Sequence, residues 1–219
     1  MNVLLTCAGR RNYLIEYFRD ALRGRGRVYA ADVRADAPAL READMGFAVP
    51  PIAADNYFDV LLDICRERKI RLLISLNDLE LPALSRLREQ FTSVGTIPVV
   101  SSPKVTDTCF DKWKTFLFLR RNSIGTPDTY LTVDDAKAAL SEARAEFPLV
   151  VKPRWGTASI GIEFPSDAEE LDIACRLAAK RLARPVRHAR GPPEGDDAPA
   201  LREGRGVLSR PHDLVDAER

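Results

Sequence analysis

The sequence predicts an α/β fold, and three observations carry that prediction. Short apolar runs alternate with segments of helical period through residues 1–102, the pattern of a doubly wound parallel sheet with crossover helices. After Ser101-Ser102-Pro103 the order becomes helix, strand, helix, hairpin, helix, which reads as a small α+β unit over 103–181. From Arg181 onward the chain is rich in Arg, Pro, Gly, Ala and Asp and has no Lys, Ile, Phe, Tyr, Trp, Asn or Gln. Such a stretch buries too little apolar surface to offset its ordering entropy. Residues 182–219 are therefore expected to be a disordered tail with room for a strand or two, or the product of a shifted reading frame in a GC-rich gene.

In chain order, residues 2–6 read as the first strand, 13–23 as its helix and 27–31 as the second strand. Residues 45–49 suit a short third strand, and 57–69 form a helix whose apolar face carries Val60, Leu61, Ile64 and Cys65. The β-rich run 71–76 fits a strand covered on both faces, and 79–90 a helix, with 96–100 as a further strand. In the second unit the expected elements are helices over 104–109 and 112–121, a strand over 129–131 and a helix over 134–145. A hairpin of strands 149–152 and 160–164 follows, then a helix over 167–182.

Composition narrows the function classes. With 219 residues, 45% hydrophobic, the chain is long enough to bury a core without disulfides or a structural metal. The 33 basic and 32 acidic side chains leave a net charge of +1, without the electrostatic footprint of a nucleic-acid binder. No apolar run reaches the roughly 20 residues needed to span a bilayer, and the basic residues of the opening follow its apolar stretch rather than precede it. A cytoplasmic protein with neither membrane nor nucleic-acid partner is expected. Cys7, Cys65, Cys109 and Cys175 are far apart, and His188 and His212 are the only histidines. That spacing argues against a zinc site or a disulfide framework and fits small buried thiols.

Several positions are candidates for chemistry. The turn Thr6-Cys7-Ala8-Gly9-Arg10-Arg11-Asn12 lies where a doubly wound fold presents its ligand-facing loop, yet it has one glycine where G-x-G-x-x-G needs three. Asp32 ends the second strand, where a ribose-binding acid would sit. Arg10 and Arg11 either grip an anionic substrate or cover a helix start. Asn77 and Asp78 follow the strand 71–76 at the same sheet edge, either facing substrate or capping the next helix.

The most informative segment is Phe147-Pro148-Leu149-Val150-Val151-Lys152-Pro153-Arg154-Trp155-Gly156-Thr157-Ala158-Ser159-Ile160-Gly161-Ile162. A lysine inside an apolar strand is costly unless an anion pairs with it. The small-residue loop bounded by Gly156 and Gly161 lets backbone amides close over phosphate oxygens. It joins two strands and lacks the G-K-[ST] end of a Walker A loop, so it is a different phosphate clamp or a plain hairpin with a snorkelling lysine.

Upstream, Ser102-Pro103, Asp111-Lys112, a helix through Leu119, Ile124-Gly125-Thr126-Pro127 and the strand 129–131 precede the Val-Val-Lys-Pro strand. This arrangement resembles the ATP-grasp superfamily, specifically the carbamoyl-phosphate-synthase large-chain-like ligases. The opening Asn2-Val3-Leu4-Leu5-Thr6-Cys7-Ala8-Gly9-Arg10-Arg11, the Ala30-Ala31-Asp32 strand end and Leu73-Ile74-Ser75-Leu76-Asn77-Asp78 look like that group's N-terminal domain. The resemblance covers residues 1–175.

The resemblance implies a Rossmann-like pre-ATP-grasp domain followed by the small ATP-grasp subdomain. It implies ATP and Mg²⁺ as cofactors, and Lys112 and Lys152 as the two phosphate-contacting lysines. The loop Gly156, Thr157, Ala158, Ser159, Ile160, Gly161 then matches the phosphate lid. The implied activity is carboxylate–amine or carboxylate–thiol ligation through an acyl phosphate, with a small carboxylate as substrate. The family continues into a larger lobe that supplies the adenine hinge and the Mg²⁺ ligands; this chain has no Asn after Asn122. The expectation is thus a chain truncated after the small subdomain, with no metal ligands of its own, either incomplete as a ligase or a non-catalytic nucleotide or small-molecule binding module. A homodimer or a partner chain would supply the missing lobe. A nicotinamide-dependent enzyme is the third reading.

Overall fold

The computed structural model describes residues 1–156, 161–183 and 206–209. The chain divides into two compact units after Thr106.

In the first unit, strands β1 (Asn2–Thr6), β2 (Val28–Asp32), β3 (Met45–Ala48), β4 (Ile70–Ser75) and β5 (Ile97–Pro98) form one sheet in the order β3-β2-β1-β4-β5. Every pairing is parallel, with Val3 opposite Val28 and Leu4 opposite Leu73. Parallel strands need crossovers, and the intervening helices are α1 (Asn12–Leu22), α2 (Pro38–Glu42), α3 (Tyr57–Glu67), α4 (Leu81–Arg86) and α5 (Arg88–Ser93). Alternation along each strand distributes side chains to two cores. Val3, Leu5, Val28 and Ala30 face Ile15 and Leu22 of α1 and Ala39 and Leu40 of α2. Leu4, Tyr29, Ala31 and Leu73 face Tyr57, Leu61, Ile64 and Cys65 of α3, with Leu84 and Phe91. Burial on both faces is why β1 and β2 read as continuous apolar runs.

Two expectations change here. The helix expected over 79–90 is a 3-10 turn at Asp78–Glu80 followed by α4 and α5, separated at Leu87. Pro82 lacks an N–H and is accommodated in the first turn of α4, so one continuous helix from 79 does not form. The five-residue α2, too short for a clear period, was not expected.

The second unit holds α7 (Lys112–Arg121), β6 (Thr129–Tyr130), α8 (Val133–Ser141), β7 (Val150–Pro153) and α9 (Ala168–Ala183); α6 (Pro103–Phe110) spans the division between the units. Leu149 and Val151 pack with Ala136 of α8 and with Leu171, Ala174 and Ala178 of α9. No residue of α7 is buried.

The expected hairpin partner of β7 is reduced to a single bridge, Val151 with Glu163, in which each amide donates to the other's carbonyl at 2.9 Å. The place beside β7 is taken by β8 (Gly206–Ser209), antiparallel to both β7 and β6, with Lys152 opposite Val207. One strand thus comes from the segment whose composition argued for disorder; the rest of 184–219 lies outside the described residues. Among the described residues, no helix is long and apolar enough to cross a membrane.

Candidate functional site

In the first unit the strand order reverses between β1 and β4, so the loops after these two strands face one crevice. The loop after β1 turns sharply, with Cys7 at φ 51° and Gly9 at φ 52°. A non-glycine residue in the left-handed region stores strain, and the surrounding hydrogen bonds must hold it. The Ala8 amide donates to the Ala31 carbonyl at 3.2 Å, the Gly9 amide to Asp32 Oδ2 at 2.8 Å, and the Ala39 amide to the Gly9 carbonyl at 3.1 Å. Asp32 Oδ1 accepts from the Arg34 amide at 3.0 Å, so both carboxylate oxygens bind backbone. Asp32 is thereby an anchor for the turn rather than a free ribose acceptor.

Beneath this turn lies a group the sequence did not single out. Glu80 is wholly buried, and its carboxylate accepts from Thr6 Oγ1 at 2.8 Å, Ser75 Oγ at 2.5 Å and the Tyr57 hydroxyl at 2.6 Å. Three charge-assisted hydrogen bonds satisfy a carboxylate that would otherwise be prohibitively costly to bury. Because the Tyr57 proton is committed to Glu80, the Cys7 thiol, 3.7 Å away, donates to the Tyr57 oxygen. Burial first, and then the Glu80 charge, push the Cys7 thiol and the Tyr57 phenol far above their ordinary values. Cys7 is an inert thiol.

Arg10 and Arg11 are exposed at this edge, and Arg11 Nη1 donates to the Cys7 carbonyl at 3.3 Å while its backbone starts α1. Asn77 Oδ1 accepts from the Leu79 amide at 3.0 Å, so Asn77 caps the 3-10 turn; Asp78 is exposed.

In the second unit, Lys112 opens α7 and Lys152 lies on β7. Lys112 Nζ donates to the Gly156 carbonyl at 3.2 Å, which brings two of the sequence candidates together. Lys152 is half-buried and its ammonium, among the described residues, has no ion-pair or hydrogen-bond partner; desolvation alone holds that ammonium below its ordinary value. A cation in this state gains from any anion that reaches it. Gly156 and Gly161 adopt φ 127° and 76°, conformations that side chains rarely take, so glycine is required at both ends of the loop. Thr157, Ala158, Ser159 and Ile160 lie outside the described residues.

Sequence reasoning also missed the brace that holds this arrangement. Asp111 caps α7, its Oδ1 accepting from the amides of Trp113 at 2.9 Å and Lys114 at 3.2 Å. Arg154, just past β7, forks onto the same carboxylate: Nε lies 2.8 and 2.9 Å from the two oxygens and Nη2 2.5 Å from Oδ2. The side chains are only 12% and 4% exposed. The Arg154 guanidinium stacks 4.5 Å above the Trp155 ring, and its carbonyl accepts the Lys112 amide at 3.2 Å. A separate cavity of about 280 Å³, walled by Trp113, Tyr130, Asp135 and Arg144, includes neither lysine. No group of three or more His, Cys, Asp or Glu side chains suited to a metal ion exists among the described residues.

Residues 3–100 match the family model of the PylC-like N-terminal domain. The fold resembles the biotin carboxylase domain of Hydrogenobacter thermophilus 2-oxoglutarate carboxylase, solved with MgADP, ADP and bicarbonate, with a TM-score of 0.66 at 15% identity. It also resembles Campylobacter jejuni biotin carboxylase in its β,γ-ATP complex, with a TM-score of 0.66 at 12% identity, and an L-amino acid ligase from Bacillus licheniformis, with a TM-score of 0.60 at 19% identity. Each comparison covers 95% of this chain but 43% to 44% of the other, so this chain spans less than half the length of those proteins. The family match is confined to residues 3–100, and the likeness to the solved structures, all under 25% identical, is a likeness of fold.

Proposed function

We propose that this chain supplies the phosphate-binding small lobe and the adjoining α/β domain of an ATP-dependent carboxylate ligase. The observation that carries the reading is Lys152: a desolvated ammonium on a strand, without an anionic partner among the described residues, beside a loop bounded by two glycines in left-handed conformations. A site of this kind holds a polyphosphate through charge and backbone amides rather than through a nucleophile. Lys112, on the Gly156 carbonyl, would exchange that weak contact for a phosphate oxygen.

In the proposed reaction a substrate carboxylate oxygen attacks the γ-phosphorus, the bond from that phosphorus to the β,γ-bridging oxygen breaks, and ADP departs. An amine or thiol then attacks the acyl carbon, losing its proton, and inorganic phosphate leaves. Lys112 and Lys152 hold the nucleotide phosphates in line and offset their charge. A divalent cation accompanies the nucleotide in such ligases, and the described residues offer no cluster of three or more carboxylate, thiol or imidazole groups to hold it. In the first unit, Arg10, Arg11, Asn77 and Asp78 line the sheet edge toward an anionic or polar carboxylate substrate.

Trp155 adjoins Gly156, so Mg-ATP should change the tryptophan fluorescence saturably in the wild-type chain and not in Lys152→Ala. An unchanged emission in both, with no competition by ADP, would contradict the reading.

A further inference from the structure

We infer that Arg154 and Asp111 are positioning residues for the nucleotide site: their forked ion pair fixes the start of α7 to the end of β7 and so sets the spacing of Lys112 and Lys152. The inference rests on the phosphate-site reading above and deepens it.

The two lysines stand on separate elements, 40 positions apart in the chain. Lysine side chains are long and lose much rotamer freedom when ordered, so two of them act together on one polyphosphate only if their backbones are held in register. Of the bonds between these two elements, the ones that meet the requirement converge on one carboxylate. Asp111 immediately precedes Lys112 and caps its helix, while Arg154 is two residues beyond Lys152. The guanidinium reaches both oxygens of Asp111, with the shortest contact at 2.5 Å. The backbone closes the same junction, because the Lys112 amide donates to the Arg154 carbonyl. A planar fork engaged with a carboxylate defines an orientation as well as a distance, which a lysine at 154 does not. The stack on Trp155 removes the remaining rotation of the guanidinium. Asp111 is only 4% exposed and is saturated by two amides and the fork, so neither partner is free to meet the nucleotide. Their effect is exerted through the lysines.

The geometry separates two roles within Asp111. Asp111→Asn keeps an oxygen for the capping amides and removes the charge that Arg154 grips. Arg154→Lys keeps the charge and loses the fork. A control comes from Lys137, which pairs with Asp172 at 2.7 Å between α8 and α9 in the same unit and touches neither phosphate lysine. Lys137→Met removes an ion pair without disturbing the junction.

The test uses the full chain, with Mg-ATP as the probe and amide hydrogen exchange as an independent readout. Arg154→Lys and Asp111→Asn should each raise the Kd for Mg-ATP at least tenfold. Arg154→Lys should also speed exchange at the Lys112, Trp113 and Lys114 amides at least tenfold, with exchange across α9 unchanged. Lys137→Met should alter neither the Kd nor exchange at 112–114. Unchanged exchange at 112–114 in Arg154→Lys would overturn the inference, as would faster exchange with an unmoved Kd, or an equal loss of affinity in Lys137→Met. If the wild-type chain binds no Mg-ATP, the nucleotide reading falls by itself, and the brace is judged on exchange alone.

Discussion

The Tyr57 hydroxyl donates to Glu80 Oε1 at 2.6 Å, joining the first turn of α3 to the 3-10 turn after β4 beneath the crevice of the parallel sheet. Through Thr6 and Ser75 the same carboxylate ties down the ends of β1 and β4, and the strained Cys7 turn rests on this group. Tyr57→Phe keeps the ring in the core and removes only the donor. A hydrogen bond to a charged group contributes about 1.5 to 3 kcal/mol, and the urea midpoint should fall by the corresponding amount. A midpoint within error of wild type would mean that Glu80 is satisfied without Tyr57.

Lys152 should trade stability for binding. Its ammonium is desolvated without a partner among the described residues, so Lys152→Met, which keeps the stem, should leave folding stability equal or raise it by up to about 1 kcal/mol while Mg-ATP binding is lost. Loss of both stability and binding would point to an anionic partner inside the fold.

The same residue predicts a pH effect. A lysine whose folded pKa is depressed below 10.5 opposes folding while it is protonated, and that penalty is relieved as pH rises through the folded value toward 10.5. A bound polyphosphate favours the protonated form. Mg-ATP binding in the alkaline range should therefore take up a proton, seen as a dependence of the calorimetric heat on buffer ionisation enthalpy. Lys152→Ala should lack this uptake.

Burial raises the Cys65 thiol from 9.0 to about 12. The protonated thiol is favoured in the folded state, so this contribution is fully present below pH 9 and is lost as pH rises from 9 to 12. Wild-type stability should fall more steeply across that range than that of Cys65→Ala. At pH 8 iodoacetamide should modify exposed Cys109 well before Cys7 or Cys65, as mapped by mass spectrometry of the alkylated peptides.

The crevice should not take a dinucleotide in the Rossmann manner, because both oxygens of Asp32 are engaged by the amides of Gly9 and Arg34. Millimolar NAD should leave amide exchange across residues 7–11 unchanged. Protection of that turn would revive a nicotinamide-dependent reading.

Much of the first unit is legible in the sequence because its signals are local. The apolar run 2–6 is β1 to the residue, and the period of 112–121 matches α7. Illegible features depend on distant partners. Glu80 reads as a polar residue in a helix start, since nothing local shows that hydroxyls 74 and 23 positions upstream converge on it. Arg154 and Asp111 meet across 43 positions, and β8 enters beside β7 from a segment whose composition argues against order. Lys112 and Lys152 are recognisable as a pair only through the family resemblance; Lys152 alone announces itself, as a charge inside an apolar strand.

The most direct measurement is a calorimetric titration of Mg-ATP into the wild-type chain, Lys112→Ala and Lys152→Ala, without a second substrate. Saturable binding at micromolar strength in the wild type, weakened at least tenfold in Lys112→Ala and abolished in Lys152→Ala, is the predicted result. Equal binding by all three proteins, or no heat from any of them, would contradict the assignment of the nucleotide phosphates to these two lysines.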